Sequence, residues 1–106
     1  NLFDSLSSLR VLNLERNGLR TIDPDGLRSL QNLRIAKFSA NELTLRRMGT
    51  RINSGIRPMS PFSSCSLLET LDLQNNKISD IFLDWTSVLT NLKTLKLSHN
   101  RLQFLH

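Results

Sequence analysis

The sequence predicts an α/β solenoid. About four repeats stack in parallel into a right-curving horseshoe, with a short parallel sheet on the concave face and loops or single helical turns on the convex face. Three observations predict it. Asn17, Asn41, Asn76 and Asn100 each hold the ninth place of one eleven-residue frame, with apolar residues at places one, four, six and eleven. The frames read LRVLNLERNGL from Leu9, LRIAKFSANEL from Leu33, LETLDLQNNKI from Leu68 and LKTLKLSHNRL from Leu92. Successive asparagines are 24, 35 and 24 residues apart. A period in this range marks a stack of supersecondary units, none of which buries its apolar face alone.

Within each frame, places four and six alternate with polar places, as one half-buried strand requires. Strands are expected near residues 10–15, 34–39, 69–74 and 93–98. Leu12 and Leu14, Ala36 and Phe38, Leu71 and Leu73, and Leu95 and Leu97 point inward. The residues between them point out onto the concave face, where Asn13, Lys37, Asp72 and Lys96 are candidate ligand contacts. Ala36 and Phe38 depart from leucine and call for local repacking. The four asparagines have a structural role. Where the chain leaves each strand, its N–H and C=O groups turn inward, and a short buried amide can serve both.

The return arms are less regular. Leu19, Ile22, Leu27 and Leu30 carry the first arm to Leu33, around a turn signal at Asp23-Pro24-Asp25-Gly26. Ile78, Ile81, Phe82, Val88 and Leu89 carry the third to Leu92. The middle arm is 11 residues too long. Counting back from Leu68, Phe62 takes the place of Leu27 and Cys65 that of Leu30, so the regular arm resumes near Pro61. The surplus falls at about 44–60. Insertions in such arrays map to loops on one face, often the face that binds.

Net charge is +5, and the insertion carries most of it: Arg46, Arg47, Arg51 and Arg57, with no acid between Leu43 and Leu68. Guanidinium groups grip carboxylates and phosphates in two-point fashion, so these arginines are candidate contacts for an acidic partner, with a solvated loop of scattered positive charge as the alternative. Nucleic acid is disfavoured, since no aromatic residues are interleaved to stack on bases. Phe3, Leu6 and Leu9 match Leu27, Leu30 and Leu33, so Asn1 to Leu6 read as the tail of an earlier repeat. A segment of a longer array is therefore expected.

Catalytic signals are missing from the sequence. No G-x-S-x-G elbow and no glycine-rich phosphate loop occurs, so no enzyme activity and no cofactor is expected. His99 and His106 have no ligand-type residues at metal spacing, and no metal site is expected. Cys65, in a core place of the frame, reads as a buried inert thiol, with a disulfide to another part of the parent as the alternative.

The frame matches the leucine-rich-repeat pattern L-x-x-L-x-L-x-x-N-x-L. With arms shaped N-x-L-x-x-I-x-x-x-x-L-x-x-L-x-x-L, it resembles the typical extracellular subclass. Within that subclass the chain resembles Toll and Toll-like receptor ectodomains. The stretch NNKISDIFLDW (Asn75 to Trp85) is similar to arthropod Toll repeats, in which an Ile-Phe-x-x-Trp arm recurs. The resemblance implies the extracellular part of a plasma-membrane receptor in innate immunity or development. It implies a protein ligand, cytokine-like or microbial, and a dimer partner, with membrane attachment through other regions of the parent. A soluble secreted or cytosolic repeat adaptor, and a structural spacer without ligand contact, remain the alternatives. The chain has no N-x-Ser/Thr sequon.

Overall fold

The computed structural model describes residues 7–45, 60–79, 81–82 and 84–102. Four three-residue strands, β1 (Val11–Asn13), β2 (Ile35–Lys37), β3 (Thr70–Asp72) and β4 (Thr94–Lys96), form one parallel sheet in chain order. The register follows the frame: Leu12, Ala36, Leu71 and Leu95 lie side by side, as do Asn13, Lys37, Asp72 and Lys96. Two four-residue helical turns lie in the arms, α1 (Pro24–Leu27) and α2 (Asp84–Ser87). Asp23 caps α1 by accepting the Asp25 N–H, and proline opens the turn where its missing N–H costs nothing.

The regular strands are shorter than six residues because the chain turns sharply at place eight. Arg16, Ala40, Asn75 and His99, the residues just before the four asparagines, have φ of 56°, 57°, 57° and 59°. This left-handed turn swings the next side chain inward. Ladder bonds nevertheless continue to it: Arg16, Ala40 and Asn75 donate their N–H to the carbonyls of Ser39, Gln74 and Ser98 at 3.1, 2.9 and 3.0 Å.

The left-handed region costs a non-glycine residue about 1–2 kcal/mol. Glycine in its place brings an entropic cost of about 0.5–1 kcal/mol. Ala40→Gly is therefore expected to stabilise by about 0.5–1 kcal/mol, read as a raised denaturation midpoint. A lowered midpoint would mean that the Ala40 methyl contributes more through packing than the backbone stores in strain.

The core runs between sheet and arms. Leu27, Leu30, Leu33, Phe38, Leu43, Phe62, Leu68, Leu71, Leu73 and Ile78 are all buried. Repeat two makes up for its small Ala36 with Phe38, whose ring meets Phe62 edge-on at 5.3 Å between centroids. Phe62 belongs to the arm that resumes after the insertion. Cys65 is buried, with its Sγ 3.9 Å from the Leu27 carbonyl.

The third arm differs from its sequence reading. Ile81 and Val88, expected inside, are 45% and 38% exposed, while Phe82 and Trp85 are buried. These two rings pack edge to face at 5.3 Å. Their volume fills the space under the arm and turns the aliphatic neighbours outward. The ends of the expected insertion also differ: Leu45 and Ser60 are buried in the solenoid wall. Residues 46–59, with Arg46, Arg47, Arg51 and Arg57, lie outside the described residues.

Burial raises the Cys65 thiol pKa to about 11, against a smaller lowering from a hydrogen bond to Ser64. The reactive thiolate at neutral pH is then about one part in ten thousand. Labelling by a thiol reagent should be slowed by at least two orders of magnitude in the native protein relative to denaturant. Equal rates would remove Cys65 from the core.

Candidate interaction surface

Two kinds of position emerge from the frame: those that hold the repeats together and those that face outward. The asparagines belong to the first. Asn41 Oδ1 accepts from the N–H of Asn17 and of Leu19 at 2.9 and 3.0 Å, and Nδ2 donates to the carbonyls of Leu14 and Phe38 at 3.0 Å. Asn76 accepts from Leu43 N–H at 3.0 Å and donates to Phe38, Leu73 and Gln74 at 3.0, 3.1 and 3.1 Å. Asn100 accepts from Ile78 N–H and donates to Leu73 and Leu97. Each amide thus ties its own turn to the preceding repeat. Asn17 is exposed and, among the described residues, holds only the Glu15 carbonyl of its own repeat with its side chain.

A second set of amides, not foreseen from sequence, works on the flank just before the strands. Asn32 donates to the Ser7 carbonyl at 2.7 Å and Asn91 to the Ser66 carbonyl at 3.2 Å. Both sit one place before the leucine that opens a frame. That spacing is a legible signal, but Leu67 interrupts it in repeat three.

The outward positions form rows across the sheet. The first is Arg10, Arg34, Glu69 and Lys93, just ahead of the strands. The second, Val11, Ile35, Thr70 and Thr94, is β-branched throughout, and Val11 is 49% exposed. The third holds the four concave candidates in register. Asn13 and Lys96 are exposed and Lys37 is half-buried, but Asp72 is only 9% exposed. Its carboxylate turns along the sheet to accept from the N–H and the Nε2 of Gln74 at 3.2 and 3.1 Å. Asp72 is therefore withdrawn from the outer face. The sheet brings Asn13, Lys37, Asp72 and Lys96 into one line; the four arginines of 46–57 cannot be placed beside them, lying outside the described residues.

Electrostatics along the face are uneven. Glu69 is bridged by Arg34 at 2.9 Å and more loosely by Lys93 at 3.9 Å. These groups are substantially exposed, so each bridge contributes at most about 1 kcal/mol. Arg10, Lys37 and Lys96 have no ion pair among the described residues. On the flank, Arg20, Thr21, Ile22, Glu42, Thr44, Leu45, Pro61 and Lys77 line a groove of about 450 Å³, beside the points where 46–59 leaves and returns. Among the described residues no group of three His, Cys, Asp or Glu is placed to hold a metal, and no helix is long and apolar enough to cross a membrane.

Two leucine-rich-repeat family profiles match the chain, one over residues 58–106 and one over residues 8–30. The chain belongs to the leucine-rich-repeat family. Among solved structures it is similar to Drosophila Toll in the Toll–Spatzle complex, described as a molecular hub in development and innate immunity. The two chains are 34% identical with a TM-score of 0.83, over 93% of this chain and 13% of Toll. The glycosylated form of the same complex matches at 34% identity and a TM-score of 0.82, over the same shares. The leucine-rich-repeat chain thus spans about an eighth of the length of the Toll chains it matches. No curated protein sequence matches it.

The two profile matches leave residues 31–57 between them, which include repeat two with its Ala36 and Phe38. The sheet runs through that repeat without a break in register. The leucine-rich-repeat stack is therefore continuous where the sequence pattern is weakest.

Proposed function

We propose that this chain is a ligand-recognition segment in the extracellular part of a Toll-like plasma-membrane receptor of innate immunity or development. It binds a protein ligand, cytokine-like or microbial, and contributes to receptor dimerisation and signalling. The observation that carries the reading is the likeness to Toll, at 34% identity over 93% of this chain, in a structure where Toll holds a protein ligand. The open concave rows support it, since a solenoid of this kind works by presenting an extended surface. The arginines Arg46, Arg47, Arg51 and Arg57 are proposed as a further contact on the strength of their charge.

A chimera tests this. The matching segment of Drosophila Toll is replaced by this chain, and surface display and Spatzle binding are measured. Display with Spatzle affinity within about tenfold of Toll is expected. Changing Arg46, Arg47, Arg51 and Arg57 to serine should lower the on-rate most strongly at low salt, with stability altered by less than about 1 kcal/mol. If affinity stays unchanged with these arginines and the concave cations all removed, the segment is a spacer.

A further inference from the structure

We infer that the concave face seats an acidic segment of a protein partner, with its carboxylates on Lys37 and Lys96 and its apolar side chains on Val11 and Ile35. This rests on the reading of the chain as a ligand-recognition segment and names the chemistry of the partner.

The inference comes from which charges are already engaged. The rows ahead of, on and just after the strands hold five cations, Arg10, Arg34, Lys37, Lys93 and Lys96, against three acids, Glu15, Glu69 and Asp72. Both acids on or next to β3 have internal partners. Glu69 is held by Arg34 and Lys93, and Asp72 by the N–H and side-chain amide of Gln74. Arg10, Lys37 and Lys96 have no acid paired to them among the described residues. Lys37 and Lys96 flank the withdrawn Asp72 in register, on strands two apart. Strand spacing puts their stems about 10 Å apart. Asp72 keeps its charge between the two lysines and Glu15 has no ion pair among the described residues, so an incoming partner meets a net charge of +2 over these rows.

Beside these lysines runs the β-branched row. Val11, 49% exposed, pairs in register with Ile35, and the methyl groups of Thr70 and Thr94 extend the strip. A partner that satisfies both rows carries carboxylates and apolar groups together, which is protein chemistry. A polyphosphate would gain nothing from Val11 and Ile35, and no aromatic residue occupies these rows to stack on bases. A sulfated polysaccharide would likewise leave the apolar strip uncovered.

Fluorescence anisotropy on the intact protein tests the assignment with three probes. They are a labelled peptide of alternating aspartate and isoleucine, its lysine–isoleucine counterpart, and heparin. The acidic peptide is expected to bind, and the basic one to bind at least tenfold more weakly. Lys37→Glu with Lys96→Glu should weaken the acidic peptide at least tenfold, and Lys96→Glu alone, at an exposed site, at least threefold. Val11→Ser should weaken it severalfold while leaving heparin unaffected. Arg28→Glu, an equal charge change on the convex arm, should alter affinity less than twofold. Equal effects of Arg28→Glu and Lys96→Glu, or no effect of Val11→Ser, would reduce the surface to general positive charge and overturn the inference. The Toll chimera separates the two readings: Spatzle binding that survives Lys37→Glu with Lys96→Glu overturns this surface and leaves the receptor reading in place.

Discussion

Asn76→Ala is expected to cost about 2–3 kcal/mol, a large fraction of the stability of a small solenoid. Asn76 is buried and its amide makes four bonds, one accepted from Leu43 N–H and three donated to Phe38, Leu73 and Gln74. Alanine strands the Leu43 N–H in a space too closed for bulk water, and takes one donor from each of three carbonyls, which keep Asn41, Asn100 and the Ala40 N–H. The stranded buried N–H costs about 1–3 kcal/mol, and the amide bonds lost to the three carbonyls add to it. Asn76→Asp keeps the shape and the acceptor but loses the donors, and turns negative charge on three carbonyls, so it should be at least as damaging. The matched control is Asn75→Ala, next door and exposed. Its cost should stay near 1 kcal/mol, and it comes from the backbone: Asn75 has φ of 57°, a region asparagine tolerates better than alanine. Denaturation midpoints read both. If the two variants have equal midpoints, the amide bonds do not hold the repeats together.

The ladder was readable from sequence because its chemistry admits few residues. A short side chain that both donates and accepts, at a fixed place behind two inward leucines, leaves little besides asparagine. Strand positions were readable for the same reason, and the register of Leu12, Ala36, Leu71 and Leu95 follows the frame even through a weakened repeat. The left-handed turn before each asparagine left no such mark. Arginine, alanine, asparagine and histidine all occupy it, because the ladder bonds on either side impose the conformation whatever the side chain.

The arms were less legible. Period put Ile81 and Val88 inside with Ile78, Phe82 and Leu89, but Trp85 packs on Phe82 and takes the space, so Ile81 and Val88 turn outward while the other three stay buried. The concave row was placed correctly as a line of neighbours, yet nothing in the pattern foretold that Asp72 would bond to Gln74 and not pair directly with Lys37 or Lys96. Asp84 was missed altogether. Its partner Ser60 lies one 24-residue period earlier, in the same place of the preceding arm, but at the edge of the expected insertion, where it read as part of the excursion.

Asp84→Ala is the second large expected effect, at about 2–4 kcal/mol. Asp84 opens α2 and is 0% exposed. Its Oδ1 accepts from Ser60 N–H and its Oδ2 from the Ser60 hydroxyl, both at 2.6 Å, while the same hydroxyl accepts from Phe62 N–H at 3.1 Å. One carboxylate thus fixes the point where the middle arm rejoins the solenoid, directly ahead of the Phe62 ring that packs on Phe38. Removing it strands a buried N–H and a hydroxyl, each costing about 1–3 kcal/mol, offset in part by no longer desolvating a charge. Ser60→Ala should hurt for the converse reason, since Asp84 Oδ2 then has lost its donor. Asp84→Asn should be milder, because its Oδ1 can still accept from Ser60 N–H. A double-mutant cycle between Asp84→Ala and Ser60→Ala should show strong coupling, with the pair costing clearly less than the two single changes added. Additive costs would mean that the two residues act separately, and that the middle arm is held in place by the Phe38–Phe62 packing alone.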